Sequence, residues 1–279
     1  MSEERRSAAG LPRAHLLREM GLTPQWRLRE ALAAGRQRLA ESANPATATA
    51  GRRAVEEDLT GRPASLSMAA SPTDRAARIA RLGWDELRAA VADCRACGLC
   101  AERRQAVLGV GDAAADWLFI GEGPGAEEDA RGEPFVGPAG KLLDAMLAAI
   151  DLRRGDDVYI ANAVKCRPPN NRTPETAEMA ACAPYLQRQI ALLQPRLIVL
   201  LGRAAVHALL GDVGSLASLR GKPFAFSLPE GNGRPIPVVV TYHPAYLLRS
   251  LTDKAKAWED LCRARALMRE AKAAGKPAA

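Results

Sequence analysis

The sequence predicts an α/β fold in which helices cover both faces of a parallel β-sheet. Three observations predict it. Four short apolar runs of β-type residues recur along the chain: "DWLFIG" (116–121), "VYIANAV" (158–164), "RLIVLLG" (196–202) and "IPVVVTYHP" (236–244). Helix-type segments separate the first three, and strands buried on both faces read as unbroken apolar runs. With 279 residues, 48% of them apolar, the chain is long enough to bury a substantial core.

Taken in order, residues 1–75 stand apart as an N-terminal extension with twelve arginines and no lysine. "ESANPATATAGRRA" and "GRPASLSMAASP" are small, polar and punctuated by Pro and Gly, so the extension reads as largely disordered or transiently helical. Within it, "HLLREMGLTPQWRLREALAAGRQRLA" has the spacing of one or two short amphipathic helices broken at Pro24, an alternative that would dock DNA or a repair or replication partner. The ordered domain is expected over 76–272. It opens on helical spacing in "SPTDRAARIARLGWDELRAAVADC", with Ile79, Leu82 and Leu87 inward. Helices follow at 139–150 and 173–193, in "RAAVHALLG", and from about 252 to 272; residues 273–279 read as a flexible tail.

The bulk composition narrows the function. A net charge of +7 favours a polyanionic partner. No run approaches the roughly 18 apolar residues of a membrane span, and "MSEERRSAAG" lacks the apolar core of a secretory signal. The expected location is the cytoplasm, where clustered cysteines bind metal or do chemistry more often than they pair.

Ligands of such a sheet bind outside the carboxyl ends of its strands, so the residues after each run matter most. After the first lies "GEGPGAEEDARGEPFVGPAG" (121–140), with six glycines and three prolines. Glycine lets backbone approach a ligand closely. Neither phosphate-binding fingerprint is present: no Gly-Lys-Ser/Thr follows, and Pro124 interrupts the G-x-G-x-x-G spacing. Phe135 in this polar loop is a candidate stacking surface for a flat ligand. Asn162 interrupts the second run; its amide suits the edge of a nucleobase, or the tying-down of a loop. His243 ends the fourth run, and the apolar "AYLL" after it suggests insertion into a partner.

"CRACGLC" (94–100) places three of six cysteines within seven positions. Cys94 and Cys97 form C-x2-C, and Cys166 and Cys182 follow with fifteen residues between them. Four thiolates from two segments suit a tetrahedral zinc or an iron–sulfur cluster, and the wide second pair favours the larger group. Cys100 is left as a spare thiol, and Cys262 reads as packing in the last helix.

Together these pieces resemble the family 4 uracil-DNA glycosylases, the iron–sulfur branch of the uracil-DNA glycosylase superfamily. The resemblance rests on "GEGPGAEEDARGEPFVGPAGKLL", "NAVKCRPPNNRTP", the four-cysteine spacing and "HPAYLLR", and covers about residues 85–272. It implies a three-layer α/β/α fold around a central four-stranded parallel sheet. It implies a structural [4Fe-4S] cluster on Cys94, Cys97, Cys166 and Cys182. The implied activity is DNA repair by a monomer that flips deoxyuridine out of single- or double-stranded DNA and hydrolyses the glycosidic bond, leaving an abasic site. On this resemblance Phe135 stacks on the base, Asn162 reads its O4 and N3–H, and the backbone at Glu122 and Gly123 closes the pocket. His243 donates toward O2, Leu247 wedges into the vacated stack, and Arg249 holds phosphate. Gly123 stands where the best-known branch carries a water-assisting aspartate, which leaves Glu122 as the nearest candidate for that task. The rival readings are a covalently trapping uracil-DNA-binding protein of the same superfamily, whose inserted arginine-rich loop and histidine are missing after Cys166, and a non-catalytic binding module.

Overall fold

The computed structural model describes residues 72–228 and 235–274. The expected extension up to residue 71, and the last five residues of the expected tail, lie outside the described residues.

Helix α1 (Pro72–Ile79) and helix α2 (Trp84–Ala92) divide the first expected helical stretch. The division falls at Gly83, whose N–H donates to Glu86 Oε2 at 2.8 Å and so closes the first turn of α2. Strand β1 (Val110–Gly111) precedes β2 (Trp117–Gly121), and helices α3 (Ala126–Arg131) and α4 (Pro138–Ala148) follow. Then come β3 (Val158–Asn162), α5 (Thr176–Leu193), β4 (Leu197–Leu201), α6 (Arg203–Leu210) and α7 (Leu216–Leu219). Strands β5 (Phe224–Phe226) and β6 (Ile236–Thr241), the single turn α8 (Pro244–Leu247) and the long α9 (Lys254–Ala273) complete the chain.

The six strands lie in the order β1-β3-β2-β4-β6-β5. The four strands expected from sequence form the parallel centre, β3-β2-β4-β6. The sheet is wider than the four-stranded one expected, because β1 and β5 pair antiparallel with its two outer members. Two and three residues long, these edges are too short for any period to announce them.

Successive side chains of a strand point to opposite faces, and β2 shows how the layers arise. Trp117 and Phe119 join Leu143 and Leu147 of α4 and Leu261 and Met268 of α9. Leu118 and Ile120 join Leu186 and Ile190 of α5 and Val206 of α6. Each such side chain contributes roughly 1.5–3 kcal/mol on full burial. A third cluster, beyond the sheet, packs Ile79 of α1 and Leu87 and Val91 of α2 against Met179 and Tyr185 of α5, with Cys166 and Cys182 inside it. Cys262 is exposed, a correction to its reading as packing. The buried stripe of α9 runs through Ala257, Leu261, Ala264 and Met268, and position 262 is one residue off it.

The parallel strands end at Gly121, Asn162, Leu201 and Thr241, on one edge of the sheet. No helix among the described residues is long and apolar enough to cross a membrane.

Candidate active site and cysteine pocket

A cleft of about 700 Å³ opens at that edge. Its walls bring together Glu122, Gly123, Phe135, Asn162, His243 and Arg249, drawn from three different strand ends. This volume lies in the range of small-molecule sites.

Asn162 closes β3 at 2% exposure, and its Oδ1 has no hydrogen-bond partner. A buried acceptor left unpaired costs about 1–3 kcal/mol, so its orientation into a cleft marks a place for a donor from outside. Gly121 ends the neighbouring strand. A Cβ there would lie 2.5 Å from both Asn162 Oδ1 and Phe135 Cζ, so only glycine leaves both side chains in place.

Phe135 is 5% exposed and has φ of 57°, a left-handed conformation uncommon for a bulky residue. Several neighbours hold it there. Arg154 donates to the Pro134 and Phe135 carbonyls at 2.8 Å each and is itself anchored by Asp144 at 2.9 Å. Glu128 Oε1 accepts the Val136 N–H at 3.0 Å. Gly140 permits the backbone to approach α4, since a Cβ there would sit 1.8 Å from the Phe135 carbonyl oxygen. The Phe135 ring stacks on His243, with centroids 5.3 Å apart and planes 30° apart.

His243 caps α8. Its Nδ1 accepts the Ala245 N–H at 3.2 Å, so the neutral ring carries its proton on Nε2. Burial, helped by the Arg249 charge, pushes the imidazole down to about 4. Gly202 makes room for it: φ is +92°, and an added Cβ would lie 2.9 Å from His243 Cβ. Burial pushes the half-buried Glu122 carboxyl up, opposed by a hydrogen bond with Thr173. Arg172, Arg203 and Arg249 add positive charge around the cleft. Two of the Arg172 donors are held by Glu178, at 2.8 and 2.7 Å.

Leu247 is misplaced for a wedge. It is 1% exposed and belongs to the core with Leu143 and Leu147. The apolar "AYLL" coils into α8, which turns Pro244 and Leu247, three residues apart, to the same inner face. The apolar side chains presented outward are Tyr246 (36%) and Leu248 (42%). Tyr246 stacks on Tyr242 at 5.0 Å and donates to Asp253 at 2.7 Å, so Leu248 is the freer of the two.

Cys94, Cys97, Cys166 and Cys182 line a second pocket, and Cys100 lines it with them. Cys94 and Cys97 come from the loop after α2, Cys166 follows β3, and Cys182 lies on α5. Donors facing the sulfurs include Arg75 to Cys94 at 3.6 Å, Arg103 to Cys166 at 2.8 Å, and the Lys165 N–H to Cys182 at 3.3 Å. Burial pushes the Cys97 and Cys166 thiols up, and Cys182 to about 12. A buried thiol of that kind becomes a thiolate at neutral pH only when a cation binds it. Among the described residues, no three His, Cys, Asp or Glu are arranged to hold a single metal ion.

Lys165 joins the two sites. It is fully buried, its Nζ donates to the Asn162 carbonyl at 2.8 Å and to Gln189, and burial pushes it down to about 8. The residues that sequence reasoning missed — Arg154, Glu128, Gly140 and Lys165 — act through backbone atoms; the last three lie inside the motifs read above, but their residue types do not announce a backbone contact.

The model of the uracil DNA glycosylase superfamily matches residues 108–262, a span holding every wall of the cleft named above. The type-4 uracil-DNA glycosylase of Archaeoglobus fulgidus is 43% identical over 168 residues, 59% of this chain and 82% of that protein. That of Thermotoga maritima is 42% identical over 183 residues, 64% of this chain and 92% of its own. That of Sulfurisphaera tokodaii is 44% identical over 168 residues, 59% and 75% of the two chains. With a matched span that covers the sheet and its cleft, and with relatives this similar over most of their length, the chain belongs to the uracil-DNA glycosylase superfamily, alongside its type-4 members.

Proposed function

We propose that the chain is a monofunctional uracil-DNA glycosylase, a DNA-repair enzyme that removes uracil from DNA and leaves an abasic site. The observation that carries this reading is the unpartnered, buried Asn162 Oδ1 beside the stacked Phe135–His243 pair. Uracil offers N3–H to that oxygen and O4 to the Asn162 amide N–H. Cytosine reverses both groups and would leave buried partners unpaired, and so is rejected.

The nucleotide is extruded into the cleft, with Arg203 and Arg249 holding the flanking phosphates and Leu248 entering the vacated stack. The C1′–N1 bond breaks and its electron pair passes to the base. Negative charge collects at O2, where the neutral His243 Nε2–H donates a hydrogen bond. Water adds to C1′ and gives its proton to Glu122, whose carboxylate also faces the positive charge developing on the sugar.

Cys94, Cys97, Cys166 and Cys182 would hold a [4Fe-4S] cluster. Four thiols lining one pocket, with N–H donors facing their sulfurs, are the donor set such a cluster takes. Bound there, the cluster supplies a covalent tie between loop and helix. The enzyme acts as a monomer in the cytoplasm, and base release needs only the chain from the first described helix onward. The extension before it is assigned to a repair or replication partner.

The first test is a uracil-containing oligonucleotide incubated with the protein and run on a denaturing gel with and without alkali. Cleavage at uracil that depends on alkali, and is absent with thymine, is expected. An intact strand overturns the reading in favour of a binding module, and a protein-linked band in favour of covalent trapping.

Two further outcomes are expected. Arg154→Ala releases Phe135 from its left-handed conformation and lowers kcat/KM about tenfold or more, because a misplaced positioning group loses about that much. Arg154→Lys, which offers one nitrogen in place of the fork that reaches both carbonyls, recovers only part. Rates equal to wild type would show that Phe135 needs no clamp. For Glu122, the carboxylate is the active form and its pKa is raised, so the single-turnover rate should fall as pH drops through that raised value. His243 stays neutral down to about 4 and adds no loss above that. Glu122→Gln should be slower by about a hundredfold and lose this acid limb. A variant that keeps the limb would remove Glu122 from water activation.

A further inference from the structure

Two guanidinium groups bond the pocket cysteines, Arg103 from the pocket wall and Arg75 from outside it, and each ties together segments that carry different ligands. Arg103 comes from the loop after the cysteine-rich turn. It donates through Nη1 to Cys166 Sγ at 2.8 Å and through Nη2 to the Cys94 carbonyl at 3.0 Å. Arg75 comes from α1, outside the span 108–262 that the superfamily model matches. Its Nη2 donates to Cys94 Sγ at 3.6 Å and its Nη1 to the carbonyl of Ala181, the residue before Cys182, at 2.9 Å. Its guanidinium also lies over the Tyr185 ring, 4.9 Å from the centroid. Both arginines are half-buried, and Ile79, at the end of α1, is packed into the cluster that contains Cys166 and Cys182.

We infer that Arg75 and Arg103 are paired straps that retain the iron–sulfur group, which makes α1 a cofactor-holding element. The inference rests on the proposed [4Fe-4S] occupancy of the four-cysteine pocket. Cluster thiolates are anionic, and hydrogen bonds from a permanent cation to an ionised acceptor are the strong kind. Arginine adds a planar, pre-organised fork whose two nitrogens bond sulfur and carbonyl at once, where lysine has a single nitrogen. Partners behind the ligands shape how tightly a metal group is held, and hydrogen bonds to its sulfurs tune its potential. Cys94, half-buried and nearest the chain terminus of the four, is gripped by both straps. The arrangement resists the opening of the pocket at Cys94.

The test uses the full-length protein, purified without oxygen, and the variants Arg75→Ala, Arg75→Lys and Arg103→Ala. Iron per chain and the visible absorbance of the cluster are followed in air and in the presence of an iron chelator, with thermal melting as a check that each variant folds. Both alanine variants should bleach roughly tenfold faster than wild type, and Arg75→Lys should fall between. The same bleaching rate in wild type and Arg75→Ala, both coloured, overturns this inference alone. An iron-free, colourless wild type overturns the cluster reading and this inference with it. Equal rates for Arg75→Lys and wild type would show that charge suffices and that the fork holds nothing.

Discussion

Replacing His243 by alanine should lower the single-turnover rate of uracil release by about a hundred- to a thousandfold, the usual cost of one donor aimed at developing charge. The geometry explains why this donor is ready before the substrate arrives. The Ala245 N–H occupies Nδ1, which fixes the proton on Nε2. The Phe135 ring and the glycine at 202 fix the plane of the imidazole. A neutral ring in this role donates a hydrogen bond and keeps its proton, so its strength does not change through the neutral range. DNA affinity, which the proposed mechanism assigns to phosphate contacts from Arg203 and Arg249, should change little. A His243→Ala enzyme within about threefold of the wild-type rate would remove His243 from the chemistry. The same residue carries a stability signature. Its pKa falls from the ordinary 6.5 to about 4 on folding, so the unfolded chain binds more protons between these values. The stability this adds is full above about 6.5 and is lost as pH falls toward 4. Wild type should therefore lose stability to acid faster than His243→Ala over that window, as measured by urea unfolding.

Cys182→Ser should abolish retention of iron and lower the melting temperature by about 8–16 °C, the shift expected for a loss of about 4 kcal/mol in a domain of this size. Cys182 is buried on α5, so its loss leaves a hydroxyl, a poor ligand for iron, where no water can compensate. Without the group, α1 and α2 are held against α5 by the arginine straps, the hydrogen bonds from Tyr185 to the Ala90 carbonyl and from Arg188 to the Leu82 carbonyl, and the apolar contacts of Ile79, Leu87 and Val91. Through Lys165, which donates to the Asn162 carbonyl, the loss should also reach the base-reading strand and reduce uracil release. Cys100→Ser is the matched control: it lines the same pocket, yet the C-x2-C and C-x15-C spacing does not need it, and iron and melting temperature should stay as in wild type. Full iron in Cys182→Ser, or its loss in Cys100→Ser, would reassign the fourth ligand.

Much of the cleft's lining was legible because those residues sit where the sequence itself marks strand ends. Asn162 interrupts an apolar run, and His243 stands before a proline; both lie in the cleft. Leu247 shows where such reading stops. "AYLL" is a turn of helix rather than the expected loop, and that turn decides which of its members faces outward, placing Leu247 in the core and Leu248 in solvent. The two edge strands escaped notice because two or three residues carry no period. Cys262 was misread because a one-residue offset on α9 separates buried from exposed.

By itself the sequence determined the α/β class, the four parallel strands and the identity of the polar groups at their ends. Those follow from local properties: continuous apolar runs, helical spacing, and residue types that suit one chemistry. Only the tertiary structure decided that Arg154 clamps Phe135 across 19 positions, and that Arg75 reaches the carbonyl of Ala181 across 106. Such contacts depend on where distant segments meet once the core has packed. An arginine that bonds a backbone carbonyl can lie anywhere in the chain that the fold brings within reach.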